Sequence, residues 1–177
     1  MLIRLSKVAM VAAVAALFSI VALGNITDYG TNYAFVQHVM SMDTLFPTTT
    51  ITYRAITDPT LHRAAYALII ATECVISMLC WVGALILLLR CRGPAAAFNR
   101  SKTIAIAGLA LGFLLYQFGF IVIGGEWFGM WMSQQWNGVP SAFRYLVIVM
   151  LVLLFVVLPD GEGEVPGAPP PAQAGPQ

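Results

Sequence analysis

Along this chain the apolar positions run together and the polar ones are bunched between them. Four apolar stretches, residues 2–24, 65–89, 104–124 and 142–159, dominate the sequence. Each approaches or exceeds the ~20 residues a helix needs to cross ~30 Å of hydrocarbon. In that solvent a single segment satisfies its own backbone only as a helix. The pattern therefore predicts an all-α fold, a four-transmembrane-helix bundle occupying residues 1–159 as one domain. Between the spans the pattern changes. Over Asp28–Asp43, Tyr33, Val36 and Met40, with Phe35 and Val39 beside them, recur at helical spacing and predict a short amphipathic helix within the first long loop. Phe46-Pro47 and the β-branched run Thr48–Thr52 predict extended chain. Asp58-Pro59 is a cap followed by a proline at the first helical position, which starts helix two there.

The loop between helices three and four is aromatic. Gly124–Ser141 carries Trp127, Trp131 and Trp136, three of the four tryptophans, with Phe128, Met130 and Met132 between them. Such residues favour the headgroup layer, where a ring is buried while its N–H stays wet, and they also favour protein interfaces. Asn137-Gly138 marks a turn, and Pro140-Ser141 leads into helix four. After Leu158 the composition shifts to acidic residues among glycines and then to Pro, Ala, Gly and Gln. Residues 160–177 are thus expected to be a disordered tail, with too little apolar surface to offset the cost of ordering.

Composition and charge sharpen this picture. Of the 177 residues, 59% are hydrophobic and 10% charged, against roughly 45–50% and 25% in soluble proteins. The net charge of +1 says little, but its distribution is informative. Arg4 and Lys7 stand at the start of the first span, and Arg90, Arg92, Arg100 and Lys102 crowd the link between spans two and three. The other two links hold only Arg54, Arg63 and Arg144. Basic residues mark the cytoplasmic side, so both termini and the 90–103 link are expected inside, with the two long loops outside. Residues 1–24 fit both a signal peptide cleaved after Ala22-Leu23-Gly24 and a retained anchor; the length of the apolar core, Val8 to Leu23, favours the anchor. Cys74 and Cys80 fall inside span two and Cys91 in the basic link, which implies neither a disulfide framework nor a cysteine metal site.

Glu73 is the residue whose position demands a chemical explanation. An ionisable side chain within a span is costly unless it faces the interior or water and finds a partner. At helical spacing His62, Tyr66, Glu73, Ser77, Cys80 and Ala84 share one narrow face of helix two. Helix three offers a facing stripe of Ala105, Gly108, Gly112, Tyr116 and Gly119, and helix one offers Ala9, Ala12 and Ala16. Small residues let helices approach where lipid supplies no hydrophobic drive, so Gly108, Gly112, Gly119, Ala12 and Ala16 are the expected packing positions. Helix four lacks such residues and is expected to be peripheral. Tyr116 lies level with Glu73 on an antiparallel neighbour, which predicts a hydrogen bond between them. Glu73, Tyr116, Ser77 and Tyr66 together form the candidate intramembrane polar site, read either as a latch between helices or as a proton, ion or ligand site. Tyr33, Phe35, Trp127, Phe128, Trp131 and Trp136 form the candidate outer interaction surface. His38 and His62, with Asp43 or Glu126, lack ligand-like spacing, so no metal or cofactor is expected. No catalytic triad, phosphate loop or nucleic-acid patch is present in the sequence.

Several of these segments resemble a known family. They are GNITDYGTNYAFVQHVMSMDT at Gly24–Thr44, Tyr53-Arg54-Ala55-Ile56, Glu73, GGEWFGMW at Gly124–Trp131, and the WNG and AFR runs across Trp136–Arg144. Together they are similar to a bacterial family of predicted small integral membrane proteins, domain-of-unknown-function family 2165, over about residues 1–158; the Pro-rich tail departs from it. The resemblance implies a four-helix, multi-pass protein of the bacterial inner membrane with no established activity. The expected function is a non-catalytic accessory or scaffold subunit, meeting lipid, another membrane protein or a second copy through periplasmic loops. The alternatives are a small transporter, channel or proton-coupled component built on Glu73, and a cofactor-binding electron-transfer subunit using His38 or His62.

Overall fold

The computed structural model of the chain describes residues 1–161, and among these there are helices and turns but no strand. Helix α1 spans Leu2–Thr27, α2 Tyr29–Ser41, α3 Pro59–Arg90, α4 Ala95–Arg100, α5 Thr103–Leu114 and α6 Val139–Val157. After Leu114 the third long helix continues as a π-helix over Leu115–Trp127. Four helical stretches, α1, α3, Ala95–Trp127 and α6, are long and apolar enough to cross a membrane. The start of α3 follows from its sequence: the Asp58 side chain accepts the Thr60 N–H at 2.7 Å, and Pro59 occupies the first turn, where a missing N–H costs nothing. The β-branched run before it is not extended. Ile51–Arg54 form one 3-10 turn whose half-buried Ile51 packs at the edge of the cluster around Met42, so packing context outweighs the β preference of the run.

α1 lies against α3 and α6, and α5 lies against the same two helices. The expected face of α3 is buried: His62, Tyr66, Glu73, Ser77, Cys80 and Ala84, with Ile76, Gly83 and Leu87. Its closest approach is at Gly83, where a β-carbon would lie 2.7 Å from the Cα of Ala105. Gly108 and Gly112 are close-packed as expected, against Cys80 and Phe18. Gly119 is not. A β-carbon there would meet nothing nearer than Leu115 of its own helix, at 3.7 Å. The reason is the π-helix, which closes each hydrogen-bonded ring one residue later and so rotates Gly119 off the line set by Gly108 and Gly112. On α1 the buried apolar positions are Val11, Val14, Ala15, Phe18 and Ala22, while Ala12 and Ala16 are half-buried at its flank and Ala9 is exposed. α6 packs through one small residue, Ala142, and through Leu146, Val149, Val152 and Val156, and so is less peripheral than its composition suggests.

The two ends of the molecule differ in chemistry. At one end, α1 begins, α6 ends and α4 turns. Here Lys7 and Lys102 are buried rather than displayed, and both Nζ atoms reach Asp160 Oδ2, at 2.7 and 2.6 Å. Both ammonium groups also donate to the Leu158 carbonyl, and Asn99 brackets Asp160 through its backbone. The first residue of the expected tail is therefore ion-paired, and residues 162–177 lie outside the described residues. At the other end Val39, Met42, Phe128 and Met130 form a second apolar cluster, edged by Phe35, Leu45, Ile51 and Trp136. α2 folds onto it with Val36 and Val39 buried.

Candidate functional site

Between the two ends, a pocket of about 310 Å³ opens among α1, α2, α3, the π segment and the start of α6. Its polar lining consists of Asn25, Asn32, Tyr66, Glu73, Tyr116, Asn137, Ser141 and Tyr145. Glu73 is 1% exposed. Its Oε2 accepts a 2.7 Å hydrogen bond from Asn25 Nδ2, and no side chain or backbone group among the described residues hydrogen-bonds Oε1. Asn25 is held in turn by Tyr66, whose hydroxyl donates to the Asn25 carbonyl at 2.8 Å. Tyr66 is packed beneath Tyr29 and Tyr33 of α2, with ring centroids 4.8 and 6.2 Å away.

This differs from the expected site at two residues, Tyr116 and Ser77. Tyr116 lines the same pocket, but its hydroxyl makes no hydrogen bond to Glu73; its ring is wedged among Phe18, Phe120 and Tyr145, stacked on Tyr145 at 5.0 Å. The bond falls instead to Asn25, because α1 continues to Thr27 rather than ending near residue 24. The signal was legible in the helical spacing, since Asn25 continues the face marked by Val11, Ala15, Phe18 and Ala22. Ser77 also belongs elsewhere. One turn further along α3, its hydroxyl lies 2.7 Å from Ser19 Oγ and 3.2 Å from the Ala15 carbonyl, and Trp81 donates to the same Ser19 oxygen at 3.1 Å. Below Glu73 the interior closes on Phe18, Ile76 and Gly112, where a β-carbon would lie 3.1 Å from Phe18 Cζ.

The expected outer surface divides in two. Trp127 and Trp131 are about half exposed, at 52% and 49%. Phe128 is buried in the second apolar cluster, and Phe35 and Trp136 pack edge to face against each other. Tyr33 stacks on Tyr29. Each histidine is engaged through one ring nitrogen: His62 Nε2 lies 2.6 Å from the Ile56 carbonyl while its buried Nδ1 has no hydrogen-bond partner among the described residues, and His38 pairs with Asp43 at 2.8 Å while stacking on Trp136. Among the described residues no three His, Cys, Asp or Glu side chains gather closely enough to hold a metal.

Chemically the pocket is suited to recognition. It presents a carboxyl group with one oxygen free, phenol hydroxyls and amides among aromatic faces. Among the described residues no Lys, Arg, His or Cys lines it, and the titratable groups beside Glu73 are the phenols of Tyr66, Tyr116 and Tyr145. The chain matches the model of the family of predicted small integral membrane proteins, domain of unknown function 2165, over residues 3–159, and belongs to that family. No curated protein and no solved structure matches it.

Proposed function

We propose that this small integral membrane protein is a non-catalytic binding component of the bacterial inner membrane, and that its Glu73 pocket takes a small organic ammonium ion. One observation carries the reading: a buried carboxyl keeps Oε1 free of hydrogen bonds on a polar pocket walled by Tyr66, Tyr116, Tyr145 and Phe120. A buried carboxyl needs a partner, and ring faces attract cations, most strongly where water is excluded. The basic residues at the end shared by α1, α4 and α6 favour cytoplasmic termini. The mouth of the pocket, near Asn32, Asn137 and Ser141, then faces the periplasm. Close packing of Phe18 and Ile76 beneath Glu73 favours a dead-end binding site over a conducting path.

Calorimetric titration of purified protein with ethylammonium chloride, against sodium chloride at equal ionic strength, tests this. Saturable binding of the ammonium ion that is lost in Glu73→Gln is the expected result. Equal heats from both salts, or binding unchanged in Glu73→Gln, would refute it. A second reading, an accessory subunit that docks on another membrane protein, draws on the exposed Trp127, Trp131, Tyr53 and Phe46. A photo-crosslinker at Trp131 that captures one reproducible partner in native membranes would favour it.

A further inference from the structure

A larger cavity, about 740 Å³, lies between α3, the π segment and α2, on the other side of Phe35, Val36, Ile69 and Phe120 from the Glu73 pocket. Its walls are apolar. Thr72 is the one hydroxyl residue in the lining, and its Oγ1 already donates to the Leu68 carbonyl of its own helix at 2.7 Å. The lips of the groove, Leu68, Leu114 and Phe118, are more than half exposed along helices that span the membrane, so the groove opens sideways into hydrocarbon. An extended peptide in it would leave its backbone polar groups unpaired, whereas a hydrocarbon chain has none to pair. The volume falls within the ~300–1,000 Å³ of ligand-sized cavities.

The end of the groove at Trp127 has a different character. The Arg54 guanidinium sits 4.8 Å from the centroid of the Trp127 ring, and its Nη1 donates to the Trp127 carbonyl at 3.3 Å. It is half-buried and, among the described residues, forms no ion pair. A tryptophan with an adjacent arginine at the end of a span is placed at headgroup depth, and a guanidinium fork matches phosphate oxygens in both geometry and charge. We infer that this groove holds an acyl chain of an anionic phospholipid whose phosphate is bound by Arg54.

The test uses the full chain reconstituted in phosphatidylcholine vesicles containing a minor, matched fraction of brominated-chain phosphatidylglycerol or brominated-chain phosphatidylcholine. Bromine quenches tryptophan on contact, and Trp127 lines the groove. Greater quenching by the glycerol lipid is expected, with the excess lost in Arg54→Gln and in Trp127→Phe. Gly119→Leu supplies a second route to the same result, since a side chain there projects into the groove and a β-carbon meets only Leu115. It should lower quenching by both brominated lipids. Equal quenching of the native protein by the two lipids would overturn the inference. So would an excess that survives Arg54→Gln, or a groove that Gly119→Leu leaves equally quenched because a second copy of the chain covers it.

Discussion

The Asp160 cluster and the Glu73 pocket each bury a carboxyl group, yet they end in opposite states. Around Asp160 two ammonium groups meet the carboxyl at Oδ2, the Asn99 amide brackets the backbone, and three separate stretches of chain are tied together. Around Glu73 a neutral amide satisfies one oxygen, and the other is left beside a pocket. The first carboxyl meets two cations of its own chain; the second faces a pocket whose described lining carries none. Burial alone does not mark a functional residue in a membrane protein, and what separates the two cases is whether the protein itself supplies the counter-charge.

The largest expected effect lies in the closed cluster. Asp160→Asn leaves Lys7 and Lys102 buried with no carboxylate, and removing one partner of a buried ion pair costs about 3–5 kcal/mol. Unfolding in mixed detergent should show the loss, and a variant of native stability would break the comparison. The same group sets an acid dependence. Burial pushes the Asp160 carboxyl up, but the Lys102 and Lys7 hydrogen bonds outweigh it and hold the carboxyl below the ordinary carboxylate range. Its contribution is therefore complete above the unfolded value of about 4 and is lost as pH falls through the lower folded value. The native protein should melt at a steady temperature from neutrality to about pH 4 and less stably below it, and Asp160→Asn should lack the extra decline.

Next in size is the contact that brings α3 and α5 together. Gly83→Val forces a side chain against the Ala105 backbone and should cost about 1–3 kcal/mol, the usual penalty of overpacking, whereas Gly119→Ala should lie within about 0.5 kcal/mol of the native protein. Equal costs at the two glycines would mean that the π segment does not turn Gly119 away from its neighbours. In the open site the effects on stability should be smaller. Asn25→Ala removes an interhelical hydrogen bond of a kind that averages about 0.6 kcal/mol in membranes, and Tyr116→Phe should cost less, because its hydroxyl has no hydrogen-bond partner among the described residues.

Much of this arrangement was legible in the sequence, for identifiable reasons. The buried face of α3 follows from a single straight helix, so the 100° spacing of His62, Tyr66, Glu73, Ser77 and Cys80 carried over unchanged. The cap at Asp58 is local chemistry and carried over as well. The stripe on the third helix failed at Gly119, where the backbone changes to a π-helix and periodicity based on the α-helix no longer applies. Asn25 was hidden by a boundary, because a polar residue after an apolar run reads as the start of a loop although the helix runs one more turn. Asp160 was hidden by its company, since an acidic residue among glycines and prolines gives no local sign of two lysines more than fifty positions away. The expected Tyr116–Glu73 bond rests on two facing stripes that agree in depth. Depth places two side chains at one level but does not decide which of several neighbours has the shorter reach.

Ligand-dependent stability, measured side by side in the native protein, Glu73→Gln and Asp160→Asn, tests the distinction between the closed and the open carboxyl most directly. Melting each in ethylammonium chloride and in sodium chloride at equal ionic strength, we expect the ammonium ion to raise the midpoint of the native protein. Asp160→Asn should start from a much lower midpoint and show the same upward shift, and Glu73→Gln should start close to native and show none. A shift that persists in Glu73→Gln, or that vanishes in a folded Asp160→Asn, would contradict the account.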